Sequence, residues 1–315
     1  MEYIILIIAL AALVFGANIL VSGSVTVAKR LHISDFVIGA IVIGIGTSLP
    51  EMVVSIIGAT GGNSDVAIGN VVGSNIFNIL GILGLTAAVL PVTVSRENRR
   101  FDIPVAIGLA LLFILLVFNF FNGEAQSIGR VDGLILISSF LLFTSWSIIR
   151  DRKKIPSAGG HTDDDKGSLP AAILKIVFGF VFLIAGCDFF VDEAVIIAHR
   201  LGVNDAFISI TLIACGTSLP ELAASITAAA KKSTQMALGN IVGSNIFNLT
   251  LILGISSQIT PLETKSITAI DYAVMAGALL LLAVLGSTGK ITRAGGILMF
   301  LCFISYNIYL ITTAM

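Results

Sequence analysis

Charge is scarce in this chain: 18 Lys and Arg and 19 Asp and Glu are spread over 315 residues, for a formal net charge of −1. With no basic footprint, nucleic acid is not an expected partner. Cysteine is rarer still. Cys187, Cys215 and Cys302 lie in separate apolar stretches without metal-like spacing, which argues against a disulfide framework or a zinc site and reads them as small buried hydrophobes. The three histidines, His32, His161 and His199, sit in or near loops. No histidine therefore accompanies Ser48 or Ser218, and an enzyme lacks its nucleophile and base pair. The N-terminus carries Glu2 in place of a basic segment and shows no small-residue cleavage site, so its apolar run is expected to stay as a first transmembrane helix.

What is abundant is apolar surface. The chain is 56% hydrophobic with a mean hydropathy of +1.02, more than a water-soluble core of this length can bury, and it is expected to be an all-α polytopic membrane protein. A crossing needs about 20 apolar residues. Ten such segments can be drawn, at 3–27, 36–59, 66–90, 102–121, 130–149, 171–197, 206–229, 235–259, 269–287 and 293–313. The one long polar stretch, 150–169, reads as a flexible linker. It separates a first five-helix half, 1–149, from a second, 170–315.

Lys and Arg set the orientation. Lys29 and Arg30, Arg96, Arg99 and Arg100, the basic residues from Arg150 to Lys175, Lys231 and Lys232, and Lys290 and Arg293 all fall on one side, leaving Arg130, Arg200 and Lys265 on the other. Both termini are then expected outside the cytoplasm, in a cell membrane. Because each half holds an odd number of helices, the second enters from the opposite side, and the halves are inverted repeats.

The sequence repeats itself where this matters. Gly46-Thr47-Ser48-Leu49-Pro50-Glu51 recurs 170 positions later as Gly216-Thr217-Ser218-Leu219-Pro220-Glu221. The same shift carries Gly69-Asn70-Val71-Val72-Gly73-Ser74-Asn75-Ile76-Phe77-Asn78 onto Gly239-Asn240-Ile241-Val242-Gly243-Ser244-Asn245-Ile246-Phe247-Asn248, with one residue changed. Pro50 and Pro220 cannot donate to the carbonyls of Gly46 and Gly216, so each helix should kink or unwind there and free oxygens that hydrocarbon cannot satisfy. Thr47, Ser48, Thr217 and Ser218 add hydroxyls; Glu51 and Glu221 add charge. Such all-oxygen donors suit hard cations such as Na⁺ and Ca²⁺. Ser74 with Asn78, and Ser244 with Asn248, share a helical face and can aim at the same centre. Gly69 and Gly73, like Gly239 and Gly243, are small-xxx-small pairs expected to permit close helix approach. Asp188 and Asp192 have Asn18 and Ser22 as counterparts. They are read as lining an aqueous route or capping packing near a membrane surface, and Asp35 and Asp205 as helix caps.

These paired motifs resemble the two alpha-repeats of the cation/Ca²⁺ antiporter superfamily, in its Na⁺/Ca²⁺ exchanger branch. The resemblance implies a ten-helix antiporter working by alternating access, with Ca²⁺ and Na⁺ as substrates and no cofactor or obligate protein partner. It implies that Glu51 and Glu221 hold Ca²⁺ with the carbonyls of Thr47 and Thr217. Na⁺ then competes for Ser48, Ser74, Ser218, Ser244 and the carbonyls of Gly44 and Ala214, while helices 1 and 6 slide across the remaining core. Some relatives carry aspartate where this chain has Asn248; asparagine at both 78 and 248 weakens a K⁺-dependent reading. Acids following GTSLP favour Na⁺ over the proton-coupled branch, although H⁺ coupling or another divalent ion such as Mn²⁺ stays open, and a cation channel is the reading from another class. The linker is too short for a Ca²⁺-sensing domain.

Overall fold

The computed structural model describes residues 2–118, 127–152, 168–200, 216–264 and 266–314. Eleven helical segments are present among them: α1 Glu2–Leu31, α2 Asp35–Thr47, α3 Leu49–Thr60, α4 Ser64–Val89, α5 Asn98–Val117, α6 Arg130–Arg152, α7 Leu169–Arg200, α8 Leu219–Ala230, α9 Thr234–Ile259, α10 Ala269–Gly286 and α11 Arg293–Ala314. Eight are long and apolar enough to cross a membrane, and α2 with α3 makes a ninth, broken span. The expected helix at 206–229 is described only through α8, and its first half lies outside the described residues.

Two departures refine the expected boundaries. Helix α6 continues through Arg152, so Arg150–Arg152 are helical instead of linker. Asp151 is buried and accepts a hydrogen bond from the Ser34 backbone N–H at 2.6 Å, while the Arg150 guanidinium lies 4.5 Å from the Trp146 ring centre. Ser34, not Asp35, is the N-cap of α2, because its hydroxyl is the one positioned to accept from the Val37 N–H. Asp35 takes the first helical position, and Asp205 lies outside the described residues.

The chain also forms two short antiparallel ribbons that an all-helical reading omits. β1 Val92–Thr93 pairs with β4 Lys290–Ile291, and β2 Ser127–Ile128 pairs with β3 Leu262–Glu263. Each joins two loops that the distribution of Lys and Arg assigns to the same side. Val92 becomes Leu262 under the 170-residue shift, and Ser127–Ile128 stand 163 positions before Lys290–Ile291, so the two ribbons are copies of one arrangement with the second offset changed by the length of the intervening segment.

The chain folds as two compact units, each drawing on both halves of the sequence. One comprises 1–48 and 144–240. Its centre is the crossing of α1 with α7, where a Cβ on Gly16 would strike the Leu183 backbone and one on Gly186 would strike the Leu13 backbone. Gly179 lies against Leu20, and Gly23 against Ala172. Rising numbers on α1 meet falling numbers on α7, so the two helices run antiparallel. Glycine lets the backbones touch where lipid offers no hydrophobic drive for association. Leu13, Ala17, Leu20, Leu183 and Cys187 fill the seam. Gly39 and Gly239 do the same between α2 and α9, meeting the carbonyls of Met236 and Phe36.

The other unit comprises 49–143 and 241–315. Here Gly84 of α4 packs on the Phe300 backbone of α11, and Gly254 of α9 packs on Ile137 and Gly133 of α6. Gly84 becomes Gly254 under the shift, while the partners Gly133 and Ile137 stand 163 positions before Gly296 and Phe300. Gly73, by contrast, is exposed, and a Cβ there would meet nothing within 4 Å, so it is not the close-approach residue its spacing suggests.

Replacing Gly239 with Val should destabilise the protein by about 1–3 kcal/mol, the usual cost of overpacking a fixed backbone contact. Gly108→Ala, where the added carbon meets nothing within 4 Å, should be neutral or slightly stabilising. Thermal unfolding of the purified variants in detergent tests the contrast, and equal melting points would contradict it.

Candidate ion-binding site

The chain breaks helix at the same residue in both motifs. Ser48 has φ −85° and ψ 9°, and Ser218 has φ −95° and ψ 8°, both in the bridge region between helix and turn. Two residues later come Pro50 and Pro220, which start new helices more readily than they continue old ones. Glu51 and Glu221 consequently sit in the first turn of α3 and α8, where the positive end of the helix dipole favours a carboxylate. Both side chains are fully buried. Helices α2, α3, α4, α8 and α9 contain no Lys or Arg.

In the first unit, elements from both motifs meet directly. The Ser48 hydroxyl donates to Glu221 Oε1 at 2.8 Å, joining the serine of the first copy to the acid of the second. Asn240 ties this group together. Its Nδ2 donates to the Glu221 carbonyl at 3.3 Å and to the Ser225 hydroxyl at 2.9 Å, and its Oδ1 lies 3.3 Å from the Thr47 hydroxyl. Thr47 also donates to the Ile43 carbonyl at 3.0 Å, and the Gly44 carbonyl accepts from Ser48 N–H. Thr217 is half-buried, and its hydroxyl has no hydrogen-bond partner among the described residues. The Gly216 carbonyl, freed by Pro220, takes the Cys187 thiol at 3.1 Å. Cys187 is thus a donor as well as a small apolar residue. Ala214 lies outside the described residues.

In the second unit Asn70 repeats the role of Asn240, donating to the Glu51 carbonyl and to the Ser55 hydroxyl, each at 3.0 Å. Farther along, α4 and α9 cross through asparagines. Asn75 Nδ2 donates to the Asn245 carbonyl at 3.3 Å, and Asn245 Nδ2 returns the bond to the Asn75 carbonyl at 3.1 Å. Asn78 Nδ2 donates to Asn245 Oδ1 at 3.0 Å, and Asn248 Nδ2 to Asn75 Oδ1 at 3.2 Å. Such reciprocity is what a local two-fold produces. It spends the donors of Asn78 and Asn248 and leaves their buried Oδ1 atoms without a hydrogen-bond partner among the described residues. Ser74 and Ser244 are buried on the same two helices. An aspartate at 248 could not supply the donor that reaches Asn75.

Sequence spacing missed several of these residues. Asn70 and Asn240 stand in the motif, but the bonds that make them brackets span separate helices. Ser55 and Ser225 follow the glutamates by one turn, a spacing that was available as a signal. Local π-helical turns at Gly39–Ile43, Phe77–Leu83 and Asn248–Ile252 leave no sequence signature, yet two of them begin next to or at the site asparagines. Asp188 and Asp192 are exposed on α7. No cluster of three or more His, Cys, Asp or Glu occurs among the described residues, so any cation here must draw mainly on neutral oxygens around one or two carboxylates.

The family model described as "Sodium/calcium exchanger protein" matches residues 1–149 and 171–312. This chain belongs to the sodium/calcium exchanger family. It is therefore a multi-pass membrane transporter of a family whose substrates are Na⁺ and Ca²⁺, and not an enzyme. It is 34% identical to the "Putative antiporter CaxA" of Alkalimonas amylolytica and 31% identical to the "Sodium/calcium exchanger MaX1" of Methanosarcina acetivorans, with 98% of each chain covered in both cases. Among solved structures, the sodium-calcium exchanger NCX_Mj soaked with zero Na⁺ and Ca²⁺ superimposes with a TM-score of 0.85 at 30% identity, again over 98% of each chain.

Truncating Asn240 to Ala in this exchanger-family protein should cost roughly 1–3 kcal/mol, because it strands buried partners on two neighbouring helices. Asn70→Ala should cost a similar amount. Chemical or thermal unfolding measures both, and wild-type stability in each variant would remove the bracket role.

Proposed function

We propose that the protein is a Na⁺-driven Ca²⁺ antiporter, built as ten spans in two inverted five-helix repeats, whose duplicated oxygen sets hold either one Ca²⁺ or a larger number of Na⁺ ions. The observation that carries this reading is the Ser48 to Glu221 hydrogen bond, which links the two copies of the motif through the groups a hard cation would use. The antiparallel crossing of α1 with α7 and the reciprocal asparagine pairs support the inversion.

In this proposal Glu51 and Glu221, with the carbonyls of Thr47 and Thr217, hold Ca²⁺. Na⁺ takes overlapping oxygens from Ser48, Ser74, Ser218, Ser244, Gly44 and Ala214, and Asn78 and Asn248 present amide oxygens to the same centre. Two carboxylates neutralise one Ca²⁺. A larger number of Na⁺ ions on the same oxygens leaves a different net charge, so exchange moves charge across the membrane and responds to voltage. The glycine-packed pair α1 and α7 is the body that moves to expose the site alternately. The linker is cytoplasmic, both termini are extracytoplasmic, and the protein resides in the cell membrane.

In proteoliposomes, an imposed Na⁺ gradient should drive ⁴⁵Ca²⁺ uptake, accelerated by a membrane potential of the appropriate sign. Glu51→Gln and Glu221→Gln should each reduce it by roughly two to four orders of magnitude, since removing one partner from a buried charge cluster costs about 3–5 kcal/mol and each ~1.4 kcal/mol is a factor of ten. Full uptake in either variant would overturn the site. Uptake driven by a pH gradient without Na⁺ would reassign the coupling ion, and a panel with Mn²⁺ would define the divalent substrate.

A further inference from the structure

A cleft outside the duplicated motifs lies within the second unit, between α10 and α11. Its volume is about 440 Å³, and it is lined by residues including Leu80, Ile270, Gly277, Leu281, Cys302 and Tyr306. The lining is apolar, and two of its polar groups are already engaged. The Tyr306 hydroxyl donates to Asp271 Oδ1 at 2.7 Å, and the Ser305 hydroxyl to the Leu301 carbonyl at 2.9 Å.

Both walls are membrane-crossing helices. Their remaining outer faces carry Leu280 and Leu301, each 53% exposed, together with Ile304 and Ile308. In a multi-pass membrane protein that surface meets hydrocarbon, and the cleft opens onto it: Ile270, Gly277 and Ser305 on its rim are exposed. A void there would forgo dispersion contacts on every wall, so the surrounding solvent fills it. That solvent is lipid. From Ile270 to Leu281 the cleft follows about 16 Å of helix, at about 1.5 Å per residue. This is half of the roughly 30 Å hydrocarbon core, the depth of a single leaflet.

We propose that this cleft is a binding site for one acyl chain of a bilayer phospholipid, held between α10 and α11 along one leaflet. The floor of the cleft gives the site a consequence. Leu80 belongs to the π-helical turn Phe77–Leu83 and follows Asn78 by two residues. The bound chain therefore packs against the segment that carries one of the site asparagines.

Native mass spectrometry of the protein in mild detergent should show one retained phospholipid per chain. A Cβ at Gly277 meets nothing within 4 Å, so Gly277→Phe places a ring in the cleft and should abolish retention. The wild-type protein supplies an independent probe in Cys302, which is free and partly buried. Its alkylation by N-ethylmaleimide, read by peptide mapping, should accelerate severalfold after delipidation and slow again when phospholipid is restored. Undiminished lipid retention in Gly277→Phe, or Cys302 reactivity indifferent to phospholipid, would overturn the proposal. A protein dimer that dissociates in Gly277→Phe would assign the cleft to a second copy and overturn it as well.

Discussion

A carboxylate with no exposed surface, in a chain that crosses a bilayer, is the constraint on which the rest of this structure depends. Glu51 and Glu221 are both in that position. Neither side chain reaches the solvent-accessible surface, so the protein has to supply a substitute field. Part of it comes from helix termini: the breaks at Ser48 and Ser218 place each acid at the start of a new helix. Another part comes from hydroxyls, of which Ser48 on Glu221 is the clearest. Asn70 and Asn240 hold the peptide carbonyls of the acids themselves, fixing the helix turns that carry them. The proposal assigns the balance of the charge to the transported cation.

Duplication is the means by which a small chain assembles so many oxygens. The Gly16 and Gly186 contacts at the crossing of α1 with α7 and the asparagine pairs on α4 and α9 obey the same 170-residue relation, and the two β-ribbons repeat one arrangement in which Val92 is carried onto Leu262. The copies are not identical in use. Cys187 donates to the Gly216 carbonyl, whereas its counterpart in the first half is Ala17, which has no donor to offer Gly46. In the proposed alternating-access cycle, asymmetry of this kind would give the two sides different energies without altering the proposed ion ligands.

The sequence made the repeated acids, the flanking prolines and the serines legible, because charge and proline inside apolar runs are expensive and therefore conspicuous. Length and hydropathy anticipated the eight long spans and the broken ninth among the described residues, and the helix breaks appeared where proline chemistry places them. Less was readable where the outcome depends on contacts between distant segments. Asn70 and Asn240 look like ordinary polar residues until their partners are known. The π-helical turns arise from tertiary packing and have no local code. Gly73 satisfies a close-packing pattern yet faces open space, since spacing identifies a candidate contact but not its partner. Asp35 lost the cap to Ser34 because one residue of register decides which side chain can reach the first free N–H groups.

The central claim is that the two glutamates serve one cation, not one each. Equilibrium Ca²⁺ binding to the purified protein in Na⁺-free buffer tests it most directly. The account predicts a stoichiometry of one Ca²⁺ per chain, lost when either Glu51 or Glu221 is changed to Gln. Two Ca²⁺ per chain, with each single substitution removing one and sparing the other, would contradict it.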